Sequence, residues 1–208
     1  MRPLKRAVMQ PRRLHESKDR HDYPGGWLFR RMTATPSNIV LIGMPGSGKS
    51  TVGVILAKMT SRDFVDTDVL IQTSHRRTLQ DIVDQDGYAA LRKIEEQILL
   101  GLDVHNHVIA TGGSAIYSDA SMTYLKTCGI LIFLDVDMLA LQSRVADFGK
   151  RGLAKPADQS FAELFQERVP LYRKYADIRI ECAGLSQEGV CMKIMEKTGS
   201  QPRFPTIP

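Results

Sequence analysis

The sequence predicts an α/β fold, a three-layer sandwich in which a five-stranded parallel sheet is covered by helices on both faces. Three observations predict it. Short apolar runs bounded by glycine or aspartate alternate with stretches of helical period along most of the 208 residues. The run "GILIFLD" (Gly129–Asp135) is apolar almost throughout, as a strand buried on both faces must be. The stretch "GMPGSGKS" (Gly43–Ser50) separates the first apolar run from the first helical one, with three glycines, a proline and a lysine.

The elements follow in order. "NIVLI" (Asn38–Ile42) reads as the first strand and Lys49–Thr60 as the first helix. Between them the spacing G-x-x-x-x-G-K-S is that of a P-loop. Its glycines let successive backbone N–H groups converge on a phosphate, and the following helix aims its positive end at the same point. Lys49 then reaches the β- and γ-phosphates, and the Ser50 hydroxyl ligates Mg²⁺. The run "DFVD", ending at Asp66, reads as the second strand, and "FVDTD" places Asp66 and Asp68 where that strand opens into a loop. Phosphoryl transfer to a hydroxyl needs a carboxylate to orient or deprotonate it and often another behind Mg²⁺. Helical segments are expected near Leu79–Val83 and over Tyr88–Leu102, where Leu91, Ile94, Ile98 and Leu102 recur at helical spacing.

"HVIAT" then gives a third strand, Gly112–Gly113 a tight turn, and "SDASMTYLK" a helix. After the Gly129–Asp135 strand comes helix "VDMLALQSRVA". The polar stretch Asp147–Gln159 is read as a lid, the alternative being a plain surface loop. Helix "FAELFQERVPLYRKYA", strand "DIRIEC" and a last helix from about Gln187 to Lys197 complete the domain. Ligands on such sheets bind at the carboxyl ends of the strands. Gly43–Ser50, Asp66–Asp68 and Gly112–Gly113 all fall on that rim, so the three stretches are expected to form one site.

Composition bounds the function. The net charge is +5, but residues 1–31 hold nine Lys/Arg against Glu16, Asp19 and Asp22. That surplus of six leaves the rest of the chain near −1, which is no signature of a nucleic-acid surface. The domain is therefore expected over residues 37–198, with a basic, disordered extension over 1–36 and a tail over 199–208. Met32 is an alternative start, and the extension has no signal-peptide core. No apolar run is long enough for a membrane span. Three cysteines at unrelated spacings suggest neither a disulfide framework nor a zinc site, which fits a cytoplasmic protein.

Taken together the motifs resemble those of shikimate kinases, from about Asn38 to Lys197. "GMPGSGKSTVG" is similar to that family's nucleotide loop, "DTD" to its paired aspartates, "LRKIEE" to its Phe-Arg-x-x-Glu, "ATGGSA" to its triple glycine and "ERVPLYRKYA" to its Glu-Arg-x-Pro-Leu-Tyr. The resemblance implies the strand order 2-3-1-4-5 with a lid. It implies ATP binding by Gly43, Pro45, Gly46, Ser47, Gly48, Lys49, Ser50, Thr51, Arg144 and Arg151. Catalysis would fall to Lys49, Asp68 and Arg151, with Ser50 and Asp66 toward Mg²⁺. Acceptor binding would fall to Asp68, Arg92, Gly112, Gly113 and Arg168, with Glu95 behind Arg92. The implied reaction is ATP-dependent phosphorylation of a shikimate hydroxyl by a monomeric, cytoplasmic enzyme with no nucleic-acid or membrane partner.

The chain also departs from the family pattern. Ser114 stands at the third glycine, "RGLA" follows where Arg-Pro-Leu-Leu is usual, and Val83 and Leu91 replace two aromatics beside the substrate ring. An arginine that often follows the last strand is missing from "ECAGLSQEG". Kinase chemistry on another small hydroxylated carboxylate is therefore the alternative reading. A P-loop switch is a more distant one, since Asn-Lys-x-Asp for guanine is absent and the aspartates and arginines would have no task.

Overall fold

The computed structural model describes residues 37–144 and 152–200. The extension over 1–36, Met32, Arg151, the lid's first residues 147–151 and most of the expected tail (201–208) lie outside them. Five parallel strands run β1 (Asn38–Ile42), β2 (Asp63–Asp66), β3 (His107–Ala110), β4 (Gly129–Asp135) and β5 (Ile178–Glu181). Their order is β2-β3-β1-β4-β5, the order expected. β1 is the central strand: Val40 stands opposite Ile109 of β3 and Leu131 of β4, and all five of its residues are buried. A parallel strand with helices on both sides has no solvated face, which is why "NIVLI" is apolar without alternation.

Helices α1 (Lys49–Thr60) and α8 (Gln187–Thr198) pack together, and α1 also lies against β1, β2 and β3. Helix α5 (Asp119–Cys128) lies on β4, and α4 (Tyr88–Leu100) packs on α5. Helix α7 (Phe161–Tyr175) also lies on β4, where Tyr172 stacks on Phe133 with ring centroids 5.2 Å apart. Such a pair is worth about 1 kcal/mol beyond its area. It also fixes the rotation of α7, so that Arg168, one turn before Tyr172, faces the same interior.

A smaller apolar cluster of Ile71, Ile82, Leu91 and Ala154 joins α2 (Thr67–His75), α3 (Leu79–Asp86) and α4. The remaining helix, α6, is described over Met138–Arg144. Helix α2 corrects the expectation of a loop after the second strand. Asp66 caps it, its side chain accepting from the backbone N–H groups of Asp68 and Val69 at 3.0 and 3.3 Å. The capping carboxylate is thus Asp66, and Asp68 sits in the helix's first turn.

Candidate active site

The carboxyl ends of β1, β2 and β3 open on one cleft of about 1,030 Å³. The loop from Gly43 to Gly48 leads into it. Gly46 and Gly48 have φ of +84° and +94°, a region closed to most side chains, and this turns the loop's amides inward. Residues Pro45 to Thr51 all line the cleft. Lys49 is 8 % exposed and its ammonium donates to the carbonyls of Gly43 and Met44 at 2.8 and 3.1 Å. Burial pushes its pKa down to about 8, against the pull of Asp68, Asp66 and Glu95. The Ser47 hydroxyl is buried with no hydrogen-bond partner among the described residues, as a group destined for a phosphate oxygen would be.

The glycine turn after β3 is pinned from three sides. The Gly112 amide donates to the Thr67 hydroxyl at 3.0 Å, the Tyr172 hydroxyl donates to the Gly113 carbonyl at 2.6 Å, and the Thr111 amide donates to the Leu41 carbonyl at 3.2 Å. A Cβ on Gly112 would collide with the carboxylates of Glu95 and Asp68. Gly113 fits between Arg168 and Pro45, so this turn is the seam between phosphate loop and acceptor residues.

Glu95 belongs to the buried stripe Leu91–Glu95–Leu99 of α4. It was expected behind Arg92, but its carboxylate accepts from the hydroxyl of Ser114, and its other oxygen has no hydrogen-bond partner among the described residues. Desolvation first, and the neighbouring Asp68 charge second, raise its pKa to about 7. Arg92 instead donates through Nε and Nη2 to the Ala154 carbonyl at 3.2 and 3.0 Å. Arg168, 1 % exposed, donates to the same carbonyl at 3.0 Å. The two arginines therefore converge on one carbonyl oxygen. The alternative of private acid partners does not hold: neither makes an ion pair among the described residues, and Glu167 accepts from Gln159 at 2.5 Å.

Gly152, Leu153 and Ala154 line the cleft, with the Gly152 amide donating to the Gln80 side chain at 2.7 Å. This end of the expected lid is packed down rather than standing free. Arg144 lies on the cleft's other rim, near Cys182 and Leu185–Glu188. Arg92, Asp66, Gly43 and Gly112 are not on the cleft wall. Leu91 is, whereas Val83 packs into the smaller apolar cluster. The sequence reading missed Tyr117, in a three-residue 3₁₀ turn (Ala115–Tyr117), and the Ser114–Glu95 bond, whose partners are 19 residues apart.

A metal would meet few protein atoms here. Among the described residues no three His, Cys, Asp or Glu gather as metal ligands. That fits Mg²⁺, which takes most of its shell from water and phosphate and needs only one or two side chains. Ser50, exposed at the start of α1, and the second oxygen of Asp66 are suited to it.

Comparison with known proteins places the chain in a family. The family model described as shikimate kinase matches residues 45–198. The shikimate kinase of Thermosynechococcus vestitus is 34 % identical over 77 % of this chain and 88 % of its own. That of Thermodesulfovibrio yellowstonii is 36 % identical over 77 % and 94 %. Among solved structures, shikimate kinase from Acinetobacter baumannii in complex with shikimate superposes with a TM-score of 0.74 at 31 % identity, covering 80 % of this chain and 94 % of that one. The Aquifex aeolicus enzyme gives 0.68 at 31 %, over 78 % and 96 %. No helix among the described residues is long and apolar enough to cross a membrane. A phosphate loop, an aspartate in the first turn of the next helix and the buried Arg168 thus share one cleft, with Arg92 converging on the same carbonyl as Arg168, in a chain that belongs to the shikimate kinase family.

Proposed function

We propose that the protein transfers the γ-phosphoryl group of ATP to a hydroxyl of shikimate. The observation that carries this is the convergence of Arg92 and Arg168 on one oxygen across Gly113 from the phosphate loop. Two guanidinium groups side by side repel each other, and a carboxylate received by both would be fixed bidentately. A ring anchored there presents its hydroxyls toward Asp68, on the same cleft wall as Lys49. The acceptor oxygen then attacks the γ-phosphorus, its proton passes to Asp68, and ADP leaves. Lys49, drawn from its two carbonyls by phosphate oxygens, spreads positive charge over the transferring group. Mg²⁺ held by Ser50 and water-linked to Asp66 would neutralise charge on the β- and γ-oxygens. Arg144, on the nucleotide side, and Arg151 are assigned to ATP, and since all these residues come from one chain a monomer suffices.

Phosphate transfer from ATP, measured against shikimate and a panel of small hydroxy acids, tests the proposal. Transfer to shikimate is expected, with a raised KM in Arg92→Ala and Arg168→Ala. ATP hydrolysis without transfer to shikimate would move the assignment to another hydroxylated carboxylate, a rival that Leu91 on the cleft wall and Ser114 in the glycine turn keep open.

A further inference from the structure

Arg92 and Arg168 come from different helices, the first half-buried and the second fully buried, and make no ion pair among the described residues. Glu167 and Glu95 attract them only from beyond ion-pair distance, so the direct contacts of both cations are with neutral groups. Besides the Ala154 carbonyl they share Tyr117. The Arg92 guanidinium carbon lies 3.6 Å from the centroid of the Tyr117 ring, which is face-on cation–π contact, while Tyr88 is more distant at 5.2 Å. Arg168 reaches the other end of the same side chain, its Nε donating to the Tyr117 hydroxyl at 3.2 Å. The Glu167 carboxylate is near enough for Tyr117, Arg92 and Arg168 to hold its pKa down, but it makes an ion pair with neither arginine.

We infer that Tyr117 is a positioning residue for the acceptor site, holding Arg92 by its ring face and Arg168 by its hydroxyl so that both charges remain available to a substrate carboxylate. The inference rests on the reading of the acceptor as a small anion. An aspartate or glutamate at this place would orient the arginines equally well, but it would neutralise them. A ring quadrupole and a phenol orient without neutralising. Tyr117 closes the short 3₁₀ turn Ala115–Tyr117 that begins two residues after Gly113, its amide donating to the Ser114 carbonyl, so the backbone that separates acceptor from phosphate loop also sets the arginines. A residue there for packing alone would need neither its face nor its hydroxyl turned to a cation.

Tyr117→Phe and Tyr117→Leu separate the two contacts. The leucine variant loses both and should raise the KM for shikimate about ten-fold. The phenylalanine variant keeps the ring and should raise it about three-fold. In both, kcat at saturating acceptor should fall far less, and the KM for ATP should stay within about two-fold of wild type, as loss of uniform acceptor binding requires. The second readout needs no acceptor: hydrogen exchange of the Arg168 Nε–H, followed by ¹⁵N NMR, should accelerate in Tyr117→Phe. If both variants leave the shikimate KM within about two-fold, or if kcat and ATP KM change as much as the acceptor KM, the inference is overturned. If Tyr117→Leu does not fold, the phenylalanine variant decides alone. If wild type transfers nothing to shikimate, the functional proposal fails, while unchanged Arg168 exchange in Tyr117→Phe is what would sink the role of Tyr117.

Discussion

Substituting Glu95 by glutamine should abolish a specific pH dependence of stability. Glu95 is 3 % exposed, and its pKa rises from 4.5 in the unfolded chain to about 7 in the folded one. Below the unfolded value the carboxyl is neutral in both states and costs nothing. As pH climbs through the window from 4.5 to about 7, the unfolded chain ionises freely while the folded one must either hold a proton or bury a charge. Folding stability contributed by this group is therefore complete in acid and lost toward neutrality. At 1.36 kcal/mol per pKa unit the loss is at most about 3 kcal/mol. Glutamine keeps the shape and can still accept from Ser114, but it does not titrate. Urea unfolding of wild type and Glu95→Gln, followed by circular dichroism at about pH 5 and about pH 8, measures the difference with m unchanged. The variant should gain on wild type by roughly 2 kcal/mol between the two, since part of the loss is already complete at pH 5. A stability difference that is the same at both pH values would refute the reasoning, since it would mean Glu95 is solvated or paired in a way that leaves its proton affinity ordinary.

The other predictions follow from the same cleft. Lys49→Ala should lower kcat by roughly 10³-fold or more in steady-state assays, because the cation facing the transferring phosphate is gone. Asp68→Asn should cut kcat by about 10²–10⁴-fold while ATP affinity, measured by calorimetry, holds. Asp66→Asn should raise the Mg²⁺ concentration needed for half-maximal rate while leaving the cap of α2 in place, since the amide oxygen still accepts from the same backbone N–H groups. Gly112→Ala should lower acceptor turnover in steady-state assays while sparing ATP affinity, as the new methyl would displace the carboxylate ends of Glu95 and Asp68.

The parts of the fold that were legible in the sequence are those where one physical cause dominates. β1 and β4 announce themselves because a strand covered on both faces must be apolar, and the phosphate loop because only that glycine spacing turns the backbone as required. Helix α2 was not legible. Its sequence "TDVLIQTSH" is rich in β-branched residues and short in apolar period, and it stands because Asp66 caps it and Ile71 is buried beneath it. The cap was a signal that could have been used. The arginine pair was legible only through resemblance, since residues 92 and 168 share nothing in local pattern. Tyr117 and the Ser114–Glu95 bond were beyond reach, because a three-residue turn has no periodicity and its partners lie far along the chain.

The sheet order also governs how the chain is made. β1 emerges first yet is hydrogen-bonded on one side to β3 and on the other to β4, so both its edges wait for segments synthesised much later. Helix α1, which carries the phosphate loop at its start, is backed by α8, the last helix of the domain. On the ribosome, at about 5–20 residues per second, the apolar β1 therefore spends several seconds or more as an unpaired edge before its neighbours arrive. Nucleotide can find a fully supported cradle only after the final helix has cleared the exit tunnel. ATP is thus a ligand of the finished chain, and in the cell it should protect completed molecules from degradation while doing little for nascent ones.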